Sequence, residues 1–265
     1  MTFTLESSDI ARAAQLLERQ LAINRRTGNL EEEVVGLSNL GYTYILLGMP
    51  EQAISTLLRC IDMAQAIGHR SYRVDTQLNL ALAHLRHGDP ASALTVLEQC
   101  LPEFTAMNDA FCQAVGQTYA ALAKELVGQV NEALADFEQA AASLREIGRL
   151  GYAHDAGAGA ARCLLRLNNL EAAQRYALPL WDYLQRQDRA GMEFPVLAYE
   201  TCAEVFDAAG QASLARRIIE AGYRELMARA DKISLLEWRR SFLEQVPEHH
   251  RIQAHWQENI GKSQE

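Results

Sequence analysis

The chain has 265 residues, 49% hydrophobic and 22% charged, with a formal net charge of −9. An acidic chain repels phosphate backbones, which argues against sequence-independent nucleic-acid binding. No apolar run approaches the roughly 18 residues a membrane helix needs. Five cysteines and a polar start from Thr2 to Asp9, with no apolar signal core, predict a reduced, cytoplasmic protein.

Pro is scarce, with only six in the chain, while Ala, Leu, Glu, Gln and Arg are common, so helices are expected throughout. In chain order, the pattern predicts an unpaired helix over 8–27. Five helix pairs follow at about 30–67, 70–107, 109–147, 150–187 and 192–230. Two shorter helices form a C-terminal cap over about 235–258, with Ser234 and Glu237 as a capping box. Gly261 to Glu265 read as a frayed end. No linker-like stretch interrupts the chain, so a single solenoid over 1–265 is expected.

The pairs are visible as a repeat. Gly48-Met-Pro-Glu-Gln-Ala53 returns as Gly88 to Ala93, Gly128 to Ala133 and Asn168 to Ala173, forty residues apart each time; a further copy, Gly210 to Ala215, follows after 42. Counting back forty from Ala53 reaches Ala13. Four residues after each alanine stand Leu17, Leu57, Leu97, Phe137, Ala177 and Ile219. Thirteen and twelve residues before the last five alanines stand Leu40-Gly41, Leu80-Ala81, Ala120-Ala121, Ala160-Ala161 and Cys202-Ala203. This alternation of large and small residues lets one helix seat closely on the next. Gly at each pair's midpoint supplies the positive φ that ends a helix; Gly28, Gly68, Asn108 and Gly148 close the second helices in the same way. Pro50 and Pro90 suit the first helical position.

Leu40-Gly41, Tyr44, Gly48, Ala53 and Leu57 resemble the tetratricopeptide signature, in the forty-residue form of kinesin-light-chain-like, LGN-like and MalT-like arrays. The resemblance implies an all-α, right-handed solenoid of helix pairs that binds a protein or peptide. The chain departs from the pattern where His84, Lys124 and Leu164 replace the aromatic kept as Tyr44 and Phe206, so those units are expected to pack less tightly. The tail from Ile233 to Ile252 resembles the closing segment of large bacterial signalling proteins with an NTPase, cyclase, kinase or DNA-binding module upstream. That resemblance implies a bacterial regulatory context. The helix at 8–27 then reads as half of a pair, with Ile10, Ala14, Leu17 and Leu21 left as an open apolar stripe. A fragment of a longer chain, a partner, or a second copy meeting there in a homo-oligomer would each cover it.

Motifs for chemistry are sparse. Gly157-Ala-Gly159-Ala-Ala-Arg162 lacks the third glycine and the preceding strand of a dinucleotide loop, so it reads as small residues for close helix packing that weaken their helix. There is no P-loop, H-E-x-x-H or C-x-x-C run. His84 and His87 are three apart, yet one falls in the packed aromatic column and the other near a helix end. His249, His250 and His255 read as a solvated helix end. Cys60, Cys100, Cys163 and Cys202 fall on packed columns. With no nucleophile, base and orienter to place together, the chain is expected to bind rather than catalyse, with no cofactor and no metal.

The first helices of such a stack line its concave face. There, Asn39 and Asn79 share one column, followed by Tyr119, Gly159 and Thr201. In kinesin-light-chain-like arrays an Asn in the matching column grips a peptide backbone, and an amide side chain offers the donor and acceptor that one peptide group needs. Tyr42, Arg73, Gln77 and Arg86, then Gln117, Tyr119 and Arg162, are expected near them, a patch suited to an extended acidic or polar peptide. The alternatives are a MalT-like effector sensor and a self-association element.

Overall fold

Helix α1 (Ile10–Thr27) begins where the Asp9 carboxylate accepts the backbone N–H groups of Ala11 and Arg12 at 3.0 and 3.2 Å. Such a cap satisfies donors that the helix itself leaves unpaired. In this computed structural model, residues 9–186 and 191–259 are described. The pairs α2 (Leu30–Leu46) with α3 (Pro50–Ala66) and α4 (Arg70–Arg86) with α5 (Pro90–Ala106) come next. They are followed by α6 (Ala110–Leu126) with α7 (Val130–Glu146) and α8 (Leu150–Arg166) with α9 (Leu170–Leu184). Then come α10 (Pro195–Ala208) with α11 (Ala212–Ala230), and finally α12 (Leu236–Glu244) and α13 (Pro247–Asn259). The described residues contain no strand.

The boundaries follow from local chemistry. Gly48, Gly88, Gly128 and Gly210 sit at positive φ where first helices stop. Asn108 (φ 55°) and Asn168 (φ 57°) do the same work without glycine, since Asn tolerates the left-handed region better than other side chains. Pro50, Pro90 and Pro195 each open a helix, where the missing N–H costs nothing. The expected capping box is overturned: the N-cap of α12 is Leu235, which makes no side-chain capping bond. The 261–265 end lies outside the described residues.

The chain forms two compact units, one of Met1–Met107 with Ala228–Pro247, the other of Asn108–Met227 with Glu248–Glu265. In the first unit, each helix from α1 to α5 packs on its neighbour in sequence, and α2 also meets α4. In the second, α6 to α10 repeat that arrangement, with α6 on α8 and α8 on α10. The repeat columns explain the fit. Ala53, Ala93, Ala133 and Ala173 are fully buried, as are the Leu57, Leu97, Phe137 and Ala177 side chains four residues on. A Cβ on Gly41 would stand 2.4 Å from Leu57 Cδ2, and one on Gly159 would stand 2.3 Å from the Phe137 ring. Gly159 is therefore a packing residue inside an unbroken α8.

Helix α1 departs from expectation. Ile10, Ala14 and Leu21 are buried, and Leu21 lies over Gly36 of α2. Leu17 and Ala13 are half-buried. The stripe read as open is thus largely covered. The large apolar side chains that α1 does expose are Leu16 and Ile23, on another face.

In the first unit, α12 packs near the turn after α2: Ser241 Oγ donates to the Gly48 carbonyl at 2.7 Å, and Trp238 meets Tyr44 edge-on at 6.4 Å. In the second unit, α13 stacks Trp256 on Tyr223 at 4.2 Å and places Ile252 beside Gly222.

Candidate functional site

In the first unit, α2 and α4 present corresponding positions one repeat apart. Val35, Asn39, Tyr42 and Leu46 follow one line along α2, at the i, i+4, i+7, i+11 spacing of a single helix face. Asp75, Asn79, Leu82 and Arg86 follow the same line on α4. Asn39 is exposed and Asn79 is half-buried. Neither side-chain amide hydrogen-bonds to another described residue, although the Asn39 carbonyl accepts the Thr43 hydroxyl at 2.7 Å. Tyr42 and Arg86 are half-buried and already engaged in internal interactions.

Arg73 and Gln77 belong elsewhere. Arg73 Nη2 donates to Glu103 of α5 at 2.5 Å, while Nη1 donates to the Gln77 side chain at 3.2 Å. Arg70 holds the other Glu103 oxygen at 2.9 Å. These two arginines hold the Glu103 carboxyl below its usual range. The group ties α4 to α5 and lies away from the asparagine line.

The second unit fills the same column with internal bonds. Tyr119 is buried, and its hydroxyl donates to Glu193 at 2.5 Å while its ring meets Phe194 edge-on. Arg162, only 12% exposed, makes a two-pronged pair with Glu125 at 2.9 and 2.8 Å and donates to the Thr201 hydroxyl at 3.1 Å. Arg166 adds a bond to the Glu125 carbonyl. Gln117 is half-buried. Tyr119 and Arg162 are therefore bonded within the unit before any partner arrives.

Asp155 completes this interior. It accepts the backbone N–H groups of Glu193 and Phe194 at 2.7 and 3.2 Å, which fixes the start of α10. Burial drives its carboxyl well above the ordinary value against the pull of those two bonds, and the Glu193 charge adds to the rise. Sequence reading missed Glu125, Asp155 and Glu193 as partners. Glu125 shares its column with Ile45, Leu85, Leu165 and Asp207, so an acidic residue there recurs and did not stand out. Arg162 is the one cation in its own column of Tyr42, Leu82, Leu122 and Glu204.

Cys60, Cys100, Cys163 and Cys202 are buried thiols outside any disulfide, and Cys112 is half-buried. Burial pushes the Cys100 and Cys163 thiols up to about 12 and about 11, so at neutral pH they are protonated packing groups. His84 is mostly enclosed and lies on the packed column, as its position predicts. No helix among the described residues is long and apolar enough to cross a membrane.

Residues 32–102 match the tetratricopeptide repeat family. The helix-pair stacking described above is the fold of tetratricopeptide-repeat arrays. Among solved structures of that fold, NprR in complex with its cognate peptide NprX aligns with TM-score 0.69 and 17% identity, over 94% of this chain and 68% of that one. The putative kinesin light chain repeats of Podospora anserina align with TM-score 0.53 and 18% identity, over 74% and 95%. A Rap protein complexed with Competence and Sporulation Factor aligns with TM-score 0.52 and 14% identity, over 97% and 78%. No curated protein sequence matches the chain.

Proposed function

We propose that this chain is a non-catalytic interaction module that grips an extended peptide or protein segment along the α2–α4 face. The observation that carries the reading is the pair Asn39 and Asn79: equivalent positions on packed neighbouring helices, with amide groups that no hydrogen bond among the described residues consumes. Two such amides one repeat apart suit two peptide groups of one extended chain, whatever its side chains. Tyr42 and Arg86 flank them and supply ring area and charge, residue types that dominate interface energetics. Arg73 and Gln77 act as a brace behind this face, and Tyr119 and Arg162 as the internal frame of the second unit. Two of the aligned structures, NprR and Rap, are themselves complexes with a peptide or factor, which favours this reading over catalysis. The setting we propose is regulatory signalling in a bacterial cytoplasm.

The test begins with affinity capture from a bacterial lysate, wild type beside the Asn39→Ala/Asn79→Ala double variant. The segment captured is then made as a peptide, and its affinity is measured by fluorescence anisotropy. With each hydrogen bond worth about 1 kcal/mol net, the double variant should bind about tenfold or more weakly. Equal affinity for both proteins would remove the asparagine face from the account.

A further inference from the structure

The repeat breaks at one place in the second unit, and a cavity opens there. The α8 position of Gly157 is held by Leu37, Gln77, Gln117 and Tyr199 in the other first helices. Three residues earlier, the Val34, Val74, Ala114 and Val196 position is His154. Gly157 lines a cavity of about 490 Å³ between α7, α8 and α9, within the size range of small-molecule sites. Pro179 and Leu164 give it apolar wall, while Tyr176 and Arg175 border it from α9.

Its polar groups are placed for an anion. Arg145 of α7 reaches in until its Nη2 stands 3.9 Å from where a Gly157 Cβ would be. Its guanidinium has no ion pair or hydrogen bond with any described residue. Tyr176 is held by donating to Glu138 at 2.9 Å, which engages the one carboxylate of the lining. His154 is stacked on Tyr183 at 4.4 Å, and Arg186 lies over the other ring of that stack at 5.8 Å. Burial, then the charges of Arg145 and Arg186, hold His154 below its usual pKa. A neutral imidazole remains, able to donate one hydrogen bond.

We propose that this cavity binds a small organic anion, a flat apolar body seated over Gly157 with a carboxylate or phosphate group paired to Arg145. An unpaired arginine matches such oxyanions in a two-pronged geometry. At Gly157 the room lies beside the Tyr176 ring, whose Cδ1 is 3.4 Å from where a Cβ would be. The cavity belongs to the second unit and the asparagine face to the first, so the two take different ligands.

The test uses the whole chain and four probes: benzoate, phenyl phosphate, inorganic phosphate and the neutral benzamide. Binding is followed by nuclear magnetic resonance at physiological salt, reading the Gly157 amide, the Arg145 side chain and the His154 ring. Fragments this small bind at up to about 10 mM. Benzoate or phenyl phosphate should shift these signals and raise the His154 pKa, because a nearby anion favours the imidazolium. The stronger of the two separates a carboxylate from a phosphate ligand. Arg145→Gln should weaken the effect about tenfold or more, and Gly157→Leu should abolish it by filling the space. Inorganic phosphate acting as strongly as phenyl phosphate would contradict the apolar half of the site. Equal response to benzamide, no response to either aromatic anion, or unchanged binding by Arg145→Gln would overturn the proposal; since Arg145 is exposed, that variant should fold normally.

Discussion

At the scale of single residues, the informative positions are polar groups on packed columns. Burial raises the Glu200 carboxyl to about 7, against the pull of Arg251, whose guanidinium donates to it at 2.7 Å. The neighbouring Glu248 and Glu204 add to the rise. A carboxyl that holds its proton more tightly folded than unfolded stabilises the fold below its ordinary pKa. It loses that contribution as pH climbs from about 4.5 through about 7. Thermal melts of Glu200→Gln should therefore decline less over that window than those of the wild type; matching slopes would place the titration elsewhere. His84 offers a second case. Its Nδ1 is buried without a hydrogen-bond partner, with the Asp89 carboxylate at 3.9 Å, beyond bonding reach. The equivalent residues Tyr44 and Phe206 show that the column accepts a ring. His84→Phe should gain about 1 kcal/mol in urea melts by removing the orphaned atom. A loss would mean that the imidazole is better served in solution than its geometry implies.

At the scale of elements, glycine, proline and alanine were legible in the sequence because their physical demands are local. A positive φ, a missing N–H and a close helix crossing each restrict the residue type wherever they occur, so helix limits and buried alanines could be read directly. Ala133→Leu, at a fully buried position, should cost roughly 1–3 kcal/mol by overpacking. A change well below that in urea melts would show the α7 crossing to be looser than its zero exposure indicates. What depended on distant partners was harder to read. The apolar periodicity of α1 was visible, but periodicity does not say which face a neighbour covers; Leu21 is buried because Gly36 lets α2 approach it. Arg73, Tyr119 and Arg162 were legible as interface residue types. Their actual partners, Glu103, Glu193 and Glu125, lie 30, 74 and 37 residues away, and charge alone does not reveal such pairings. The asparagine column was readable as a pattern; its freedom from internal bonds was not.

At the scale of the molecule, the C-terminal segment contributes to both compact units, with α12 in the first and most of α13 in the second. Gly48 shows what this demands. Gly88 occupies the same turn one repeat later, and a Cβ there would meet nothing within 4 Å. A Cβ on Gly48 would lie 2.7 Å from the Ser241 carbonyl oxygen. Both glycines have positive φ, so either change to Ala costs about 1 kcal/mol in backbone strain. Gly48→Ala should cost distinctly more and expose α12 to limited proteolysis, while Gly88→Ala should leave α12 protected. Equal cost and equal cleavage would mean that α12 is not seated by this contact.

The hydrogen bond between Ser241 and Gly48 spans 193 residues of chain. On a ribosome adding about 5–20 residues per second, its two ends become available roughly ten to forty seconds apart. Through that interval the turn after α2 is formed but uncovered, and the first unit lacks its last helix. The turn at Gly48 is thus open throughout that interval, and chaperones have that window in which to engage it. Helix α12 completes a unit whose other helices were made well before it.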